Sequence, residues 1–219
     1  MSEDECYSRL REMIMNDTYL PNQRLVEMDL ANTLQVNRAT IRTALARLEQ
    51  EGLVERERYR GARVRLVTEA EAVEILEVRA ALEGIVARYA ALRATEEDIR
   101  ELQQLIDVMR GLCEENDLVG YTGINSQIHK KIKEMAKHET ASRLLDTLNS
   151  QNVRFRFRTI LVPGRPKQSF AEHQAIVEAI ARKNPEEAES TMRYHLAHVA
   201  DALRKITKVS PHINNLVKS

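Results

Sequence analysis

Between residues 30 and 48 the apolar positions fall into two short runs of helical spacing, Leu30, Ala31 and Leu34, then Ile41, Leu45 and Leu48. A tight polar turn at Gln35-Val36-Asn37 separates them, the layout of a helix-turn-helix. The second helix is expected to open at Asn37, whose side chain can accept from the free backbone N–H groups of the first turn. Gly52 stands where a left-handed C-terminal cap belongs. Beyond it, Leu53-Val54-Glu55-Arg56 and Ala62-Arg63-Val64-Arg65-Leu66 alternate apolar with polar around Tyr59-Arg60-Gly61, which predicts a two-stranded wing. Upstream, Leu10, Met13 and Ile14 mark the packing face of a first helix, and Pro21-Asn22 breaks the chain before the motif.

After Leu66 the pattern changes to long amphipathic helices, expected near 69–93, 96–115, 118–137, 140–160, 170–183 and 186–206. Thr68 with Glu71 and Ser169 with Glu172 have capping-box spacing, and Thr95 with Asp98 is a weaker version. Asn184-Pro185-Glu186-Glu187 joins a cap, an N1 proline and N-terminal acids. The loop Val162-Pro163-Gly164-Arg165-Pro166 interrupts the bundle. The expected fold is mainly α: a winged helix-turn-helix over residues 1–67, an antiparallel helical bundle over 68–208, and a tail over 209–219.

Charge supports a nucleic-acid role for the first part. Lys+Arg and Asp+Glu are equal at 33 each, yet residues 38–67 hold eight arginines against four acids, whereas 1–37 hold three against seven. Arg38 and Arg42 share one helix face and could reach neighbouring guanines in a major groove, while the wing arginines suit phosphate or a minor groove. The expected DNA-contacting set is Asn37, Arg38, Thr40, Arg42, Arg60 and Gly61. With 43% hydrophobic and 30% charged residues the composition is that of an ordinary soluble protein, with no apolar run of spanning length and no signal-peptide pattern. Cytoplasm is the expected location. Cys6 and Cys113 are too few and too isolated for a disulfide framework or a cysteine zinc site.

The run Asn37-Arg38-Ala39-Thr40-Ile41-Arg42-Thr43-Ala44-Leu45, followed by Leu48-Glu49-Gln50-Glu51-Gly52-Leu53-Val54, resembles the DNA-binding signature of the GntR family of bacterial transcription regulators, and residues 7–67 match that domain throughout. Asn22 departs from the usual glycine after proline and Asn37 from the common serine or threonine. Asparagine serves at both, since it tolerates left-handed turns and caps helices. The resemblance implies double-stranded, palindromic operator DNA as partner, bound by a homodimer.

In the bundle the histidines carry the chemistry. Asn125 and His129 are four apart beside the stripe Ile124, Ile128, Ile132 and Met135. His173 falls in the stripe Phe170, Val177, Ile180, and His195 in Ala188, Met192, Val199, Ala202. One inward histidine is more often a satisfied core residue than a ligand. Three from three helices, with an inward amide, suit a shared metal that satisfies them together. His138 and His198 find no matching partner in the pattern.

Arg79-Ala80-Ala81-Leu82-Glu83, the His129 segment, Glu172-His173-Gln174-Ala175-Ile176 and Met192-Arg193-Tyr194-His195-Leu196 together resemble the FCD effector domain of the FadR subfamily of GntR regulators, over nearly all of 70–206. Metal-binding members hold a divalent cation with an aspartate four residues before the first histidine plus three histidines, beside a small carboxylate effector. Carried onto this chain, the ligands are Asn125, His129, His173 and His195, with an uncharged amide in the aspartate position. The implied cofactor is a divalent metal ion: zinc, nickel or manganese. Arg79 and Glu83 lie on the apolar stripe of their helix, as an internal i,i+4 ion pair or with Arg79 meeting the effector carboxylate. Arg154, Arg156 and Arg158, alternating with Phe155 and Phe157 near a helix end, either line the pocket or, the more common role, make a solvated or interface face.

These readings converge on a DNA-binding regulator whose operator affinity answers to a small organic acid beside a metal, with no catalysis required. The alternatives are a helical metalloenzyme, which would leave the winged helix unexplained, and a metal-free regulator of the acyl-CoA-sensing kind, against which the three histidines argue.

Overall fold

The computed structural model describes residues 1–57, 61–151 and 153–209, in two compact units: Met1–Thr68 with Thr147–Val153, and Glu69–Asp146 with the chain from Arg154 onward. Arg60, expected to contact DNA, and residues 210–219 lie outside the described residues.

The first unit opens with α1 (Glu3–Met15), started by a capping box in which Ser2 and Glu5 satisfy each other's backbone N–H groups. Its buried face is Cys6, Leu10 and Ile14, one turn apart; Met13, expected inward, is half-buried, and Cys6 takes the core position. After β1 (Arg24–Leu25) come α2 (Glu27–Leu34) and α3 (Arg38–Gln50), joined at Gln35, which adopts a left-handed conformation. Asn37 caps α3, its Oδ1 accepting from Thr40 N at 2.9 Å. At the other end Gly52, with φ +69°, lets Leu53 N donate to Leu48 O and Gly52 N to Glu49 O, both at 2.9 Å. That pair of bonds closes the helix, and the buried side chains of Leu48 and Leu53 complete the cap. Asn22 takes the left-handed conformation its side chain allows, φ +65°.

The wing is β2 (Val54–Glu57) and β3 (Gly61–Val64), paired antiparallel. It is one strand richer than the alternation suggested. Arg24 pairs with Arg63 and Leu25 with Ala62, so the sheet order is β1-β3-β2. A strand of two residues is too short to show alternation, and only its partner defines it.

Among the described residues the second unit is all helical: α4 (Glu69–Arg93), α5 (Glu96–Glu114), α6 (Leu118–Ala136), α7 (Glu139–Gln151, whose end belongs to the first unit), α8 (Val153–Ile160), α9 (Arg165–Ala181) and α10 (Pro185–Val209). Thr95 and Asp98 form the expected capping box, and Asn184 Oδ1 accepts from Glu187 N at 3.2 Å. Two expectations fail. The helix expected over 140–160 is two helices, and α9 begins at Arg165 rather than 170, so Ser169 is an interior residue and not a cap. Gly164 supplies the left-handed start and Pro166 sits in the first turn, where its missing N–H has no intrahelical partner to lose. In the core α4 runs against α10, α6 and α9, and α5 packs on α6 and α9. Small residues on α4, Ala72, Gly84, Ala87, Ala90 and Ala91, let its neighbours approach closely. Among the described residues no helix is long and apolar enough to cross a membrane.

Candidate functional site

Three helices of the second unit bring His129 (α6), His173 (α9) and His195 (α10) together, with one ring nitrogen of each within 4.8 Å of the others. His173 and His195 are 0% and 3% exposed. His173 Nε2 lies 3.2 Å from His129 Nε2.

What surrounds the rings decides which nitrogens face each other. His129 Nδ1 donates to Glu83 Oε2 at 2.6 Å, His195 Nδ1 to Glu172 Oε2 at 2.7 Å, and His173 Nδ1 to the Ser169 backbone carbonyl at 2.7 Å. Each acceptor fixes the proton on Nδ1 and leaves the Nε2 lone pair for the interior. Two Nε2 lone pairs 3.2 Å apart repel unless a cation or a proton lies between them. Burial and the neighbouring imidazoles push His173 well below its ordinary pKa, and burial with His129 and Arg165 does the same to His195. His173 and His195 are therefore held in the neutral form, the one that ligates metal. The donor set suits a borderline divalent ion.

The carboxylates behind the rings are themselves held. Burial alone would raise the Glu83 carboxyl, but Arg79 and His129 hold it well below the usual carboxylate range. Arg79 Nε and Nη2 both donate to Glu83 Oε1, at 3.0 and 2.6 Å, so the pair is the internal i,i+4 bridge. Glu172 accepts from Arg165 Nη2 at 2.8 Å and from His198 Nδ1 at 2.6 Å as well as from His195.

This polar layer was only partly legible in the sequence. Arg165 falls in the expected loop and Ser169 at the expected cap, because α9 begins upstream of the capping-box spacing; the Gly164-Arg165-Pro166 run is the signal for that start. His198, set aside in the sequence, is the third partner of Glu172, and His138 accepts from Ala141 N at 3.3 Å. Phe170, expected inward, is half-buried, because the buried face of α9 runs through Arg165, Ser169, Glu172, His173 and Ile176. Asn125 lies one turn before His129 and half-buried, and its amide makes no hydrogen bond to another described side chain.

Residues 74–198 match the FCD domain model, and residues 3–64 match that of the bacterial regulatory proteins of the gntR family. The chain belongs to the GntR family and carries an FCD domain. It is 25% identical to the HTH-type transcriptional regulator YdhC of Bacillus subtilis over 91% of this chain and 90% of that one. It is 24% identical to the HTH-type transcriptional repressor RspR of Escherichia coli, over 92% and 89%. Among solved structures, E. coli McbR/YncC superposes with a TM-score of 0.74 over 94% of this chain and 99% of that one, at 18% identity, a likeness of fold. The families and relatives are transcriptional regulators, so this protein is a regulator and not an enzyme.

In the regulator's DNA-binding unit, Asn37, Arg38 and Arg42 are exposed on the first turns of α3. Both guanidiniums pair with Glu27 Oε2 of α2, at 3.2 and 2.8 Å, which parks them side by side on the exposed face. Thr40 is buried at 8% exposure and its hydroxyl donates to Asn37 Oδ1, so it shapes the helix start rather than presenting a free surface. Gly61 opens β3 with φ +89°. The side chains of Arg154, Arg156 and Phe157 lie outside the described residues, while Arg158 pairs with Glu69 at 3.1 Å and Phe155 is buried.

Proposed function

We propose that this regulator is a cytoplasmic, homodimeric repressor of a palindromic operator, and that its DNA affinity is set by a small carboxylate bound beside a divalent metal in the FCD domain. The observation that carries the reading is the arrangement of the triad: each Nδ1 is spent on an acceptor, the free Nε2 atoms of His129 and His173 face each other, and one ring nitrogen of each of the three residues lies within 4.8 Å of the others. His129, His173 and His195 would hold the ion, with Asn125 as a neutral fourth ligand. The metal supplies a positive charge and open coordination positions for the effector's carboxylate. Glu83, Glu172 and the Ser169 carbonyl orient the imidazoles. On the DNA side, Arg38 and Arg42 leave Glu27 for base edges in the major groove, and the wing, with Gly61 and Arg60, follows the phosphates. Regulation is linkage: an effector that binds one arrangement of the dimer better shifts the population toward or away from the half-site spacing of the operator.

Metal analysis of the purified full-length protein tests the site. One equivalent of zinc, nickel or manganese is expected per chain, lost in both His173→Ala and His195→Ala. Metal should raise the melting temperature of the wild type alone, because an ion bound to the folded state stabilises it. Protein that stays metal-free after challenge with all three ions refutes the reading and favours a metal-free effector site.

A further inference from the structure

The buried charges around the triad balance only without a cation. Two guanidiniums, Arg79 and Arg165, face two carboxylates, Glu83 and Glu172, and all four residues are at least nine-tenths buried. A divalent ion held by three neutral imidazoles and the uncharged Asn125 brings two positive charges with no counter-charge in the protein. An aspartate at position 125 would cancel one of them and leave room for a monocarboxylate. In this chain two negative charges are missing, and uncompensated charge in an interior is costly.

A second observation says where one of them belongs. Arg165 is 4% exposed, and its Nη1 is buried with no hydrogen-bond partner among the described residues. A charged donor left unsatisfied in a protein interior calls for an acceptor. Arg165 is also close to the triad, because Glu172 Oε2 accepts both from Arg165 Nη2, at 2.8 Å, and from His195 Nδ1, at 2.7 Å. Arg79, by contrast, spends both Nε and Nη2 on Glu83. Tyr121, one turn before Asn125 on α6, is buried and donates to the carbonyl of Pro166, next to Arg165.

We propose that the effector of this regulator is a short dicarboxylate, with one carboxylate on the metal and the second on Nη1 of Arg165. The proposal rests on the metal-and-carboxylate reading above and adds the charge of the ligand and the residue that selects it. Arg165 then sets specificity, and Asn125 is the substitution that makes room for the second negative charge.

Calorimetric titration of the metal-loaded, full-length protein tests this with matched pairs: succinate against butyrate, and L-malate against L-lactate. At least one dicarboxylate should bind about ten- to a hundredfold tighter than its monocarboxylate counterpart, the range one charge-assisted contact supplies. Arg165→Gln should erase that preference with metal stoichiometry kept. Asn125→Asp, at a half-buried position, should tighten the metal and narrow the preference by about tenfold; it keeps the test decisive if the Arg165 variant fails to fold. Metal bound at one equivalent with both ligand classes binding alike overturns the dicarboxylate proposal and leaves the metal-and-carboxylate reading standing. Failure to bind metal at all removes both.

Discussion

Glu172→Gln tests whether the layer behind the histidines is an electrostatic lock. The Glu172 side chain is 6% exposed and accepts from Arg165, His195 and His198 at 2.8, 2.7 and 2.6 Å. The amide keeps one acceptor oxygen, loses the charge and turns its second position into a donor facing other donors. Each charge-assisted bond is worth about 1.5–3 kcal/mol, but three on one carboxylate do not add. The better measure is the cost of leaving Arg165 buried without its counter-charge, about 3–5 kcal/mol. The retained oxygen places the expected loss near the lower end, about 3 kcal/mol, a large share of the roughly 5–15 kcal/mol that holds a typical fold. Hydrogen exchange of the α9 and α10 amides reads this locally, so that unfolding of the DNA-binding unit does not enter. Zinc competition with a chelator gives the second readout, in which loss of the carboxylate charge behind His195 should weaken the metal ten- to a hundredfold. Asp107→Asn, which removes the exposed Arg110–Asp107 pair, is the control and should cost under about 1 kcal/mol. If Glu172→Gln matches that control in exchange and holds zinc as tightly as the wild type, the network does not organise the site.

Two further outcomes are expected. Burial pushes the Tyr121 phenol up to about 12. The contribution of this group is full below the unfolded value of about 10 and is lost as pH rises toward 12, a fall of up to about 3 kcal/mol. In the native protein its ionisation should appear by ultraviolet absorbance well above the ordinary tyrosine value, as a step missing in Tyr121→Phe; a variant whose titration superposes on that of the wild type at high pH would contradict the burial argument. Arg42→Ala should cost about 1–3 kcal/mol on operator DNA and relax sequence preference, measured by binding to specific and random duplexes; equal losses on both would reassign Arg42 to phosphate contact.

Local sequence was sufficient wherever the deciding interaction lies within a few residues. Asn37 caps α3 through an atom three residues on, Gly52 closes it through bonds to the two preceding turns, and Thr95 and Asn184 act over three residues. The period of apolar positions likewise turned His173 and His195 inward, because a helix face is fixed by spacing alone. Long-range pairing was hidden. Strand β1 exists only through Arg63 and Ala62, some 40 residues away, and two residues carry no period of their own. Polar partners were hidden too: Glu83 and His129 are separated by 46 positions, and Arg165 lies in a Pro- and Gly-containing run whose local pattern is that of a loop. Spacing determined that three histidines face a core; only the packing of α6, α9 and α10 decided that they meet, with Glu83, Ser169 and Glu172 behind them. The rotation of one helix against another depends on side chains far apart in the chain, so no local period contains it.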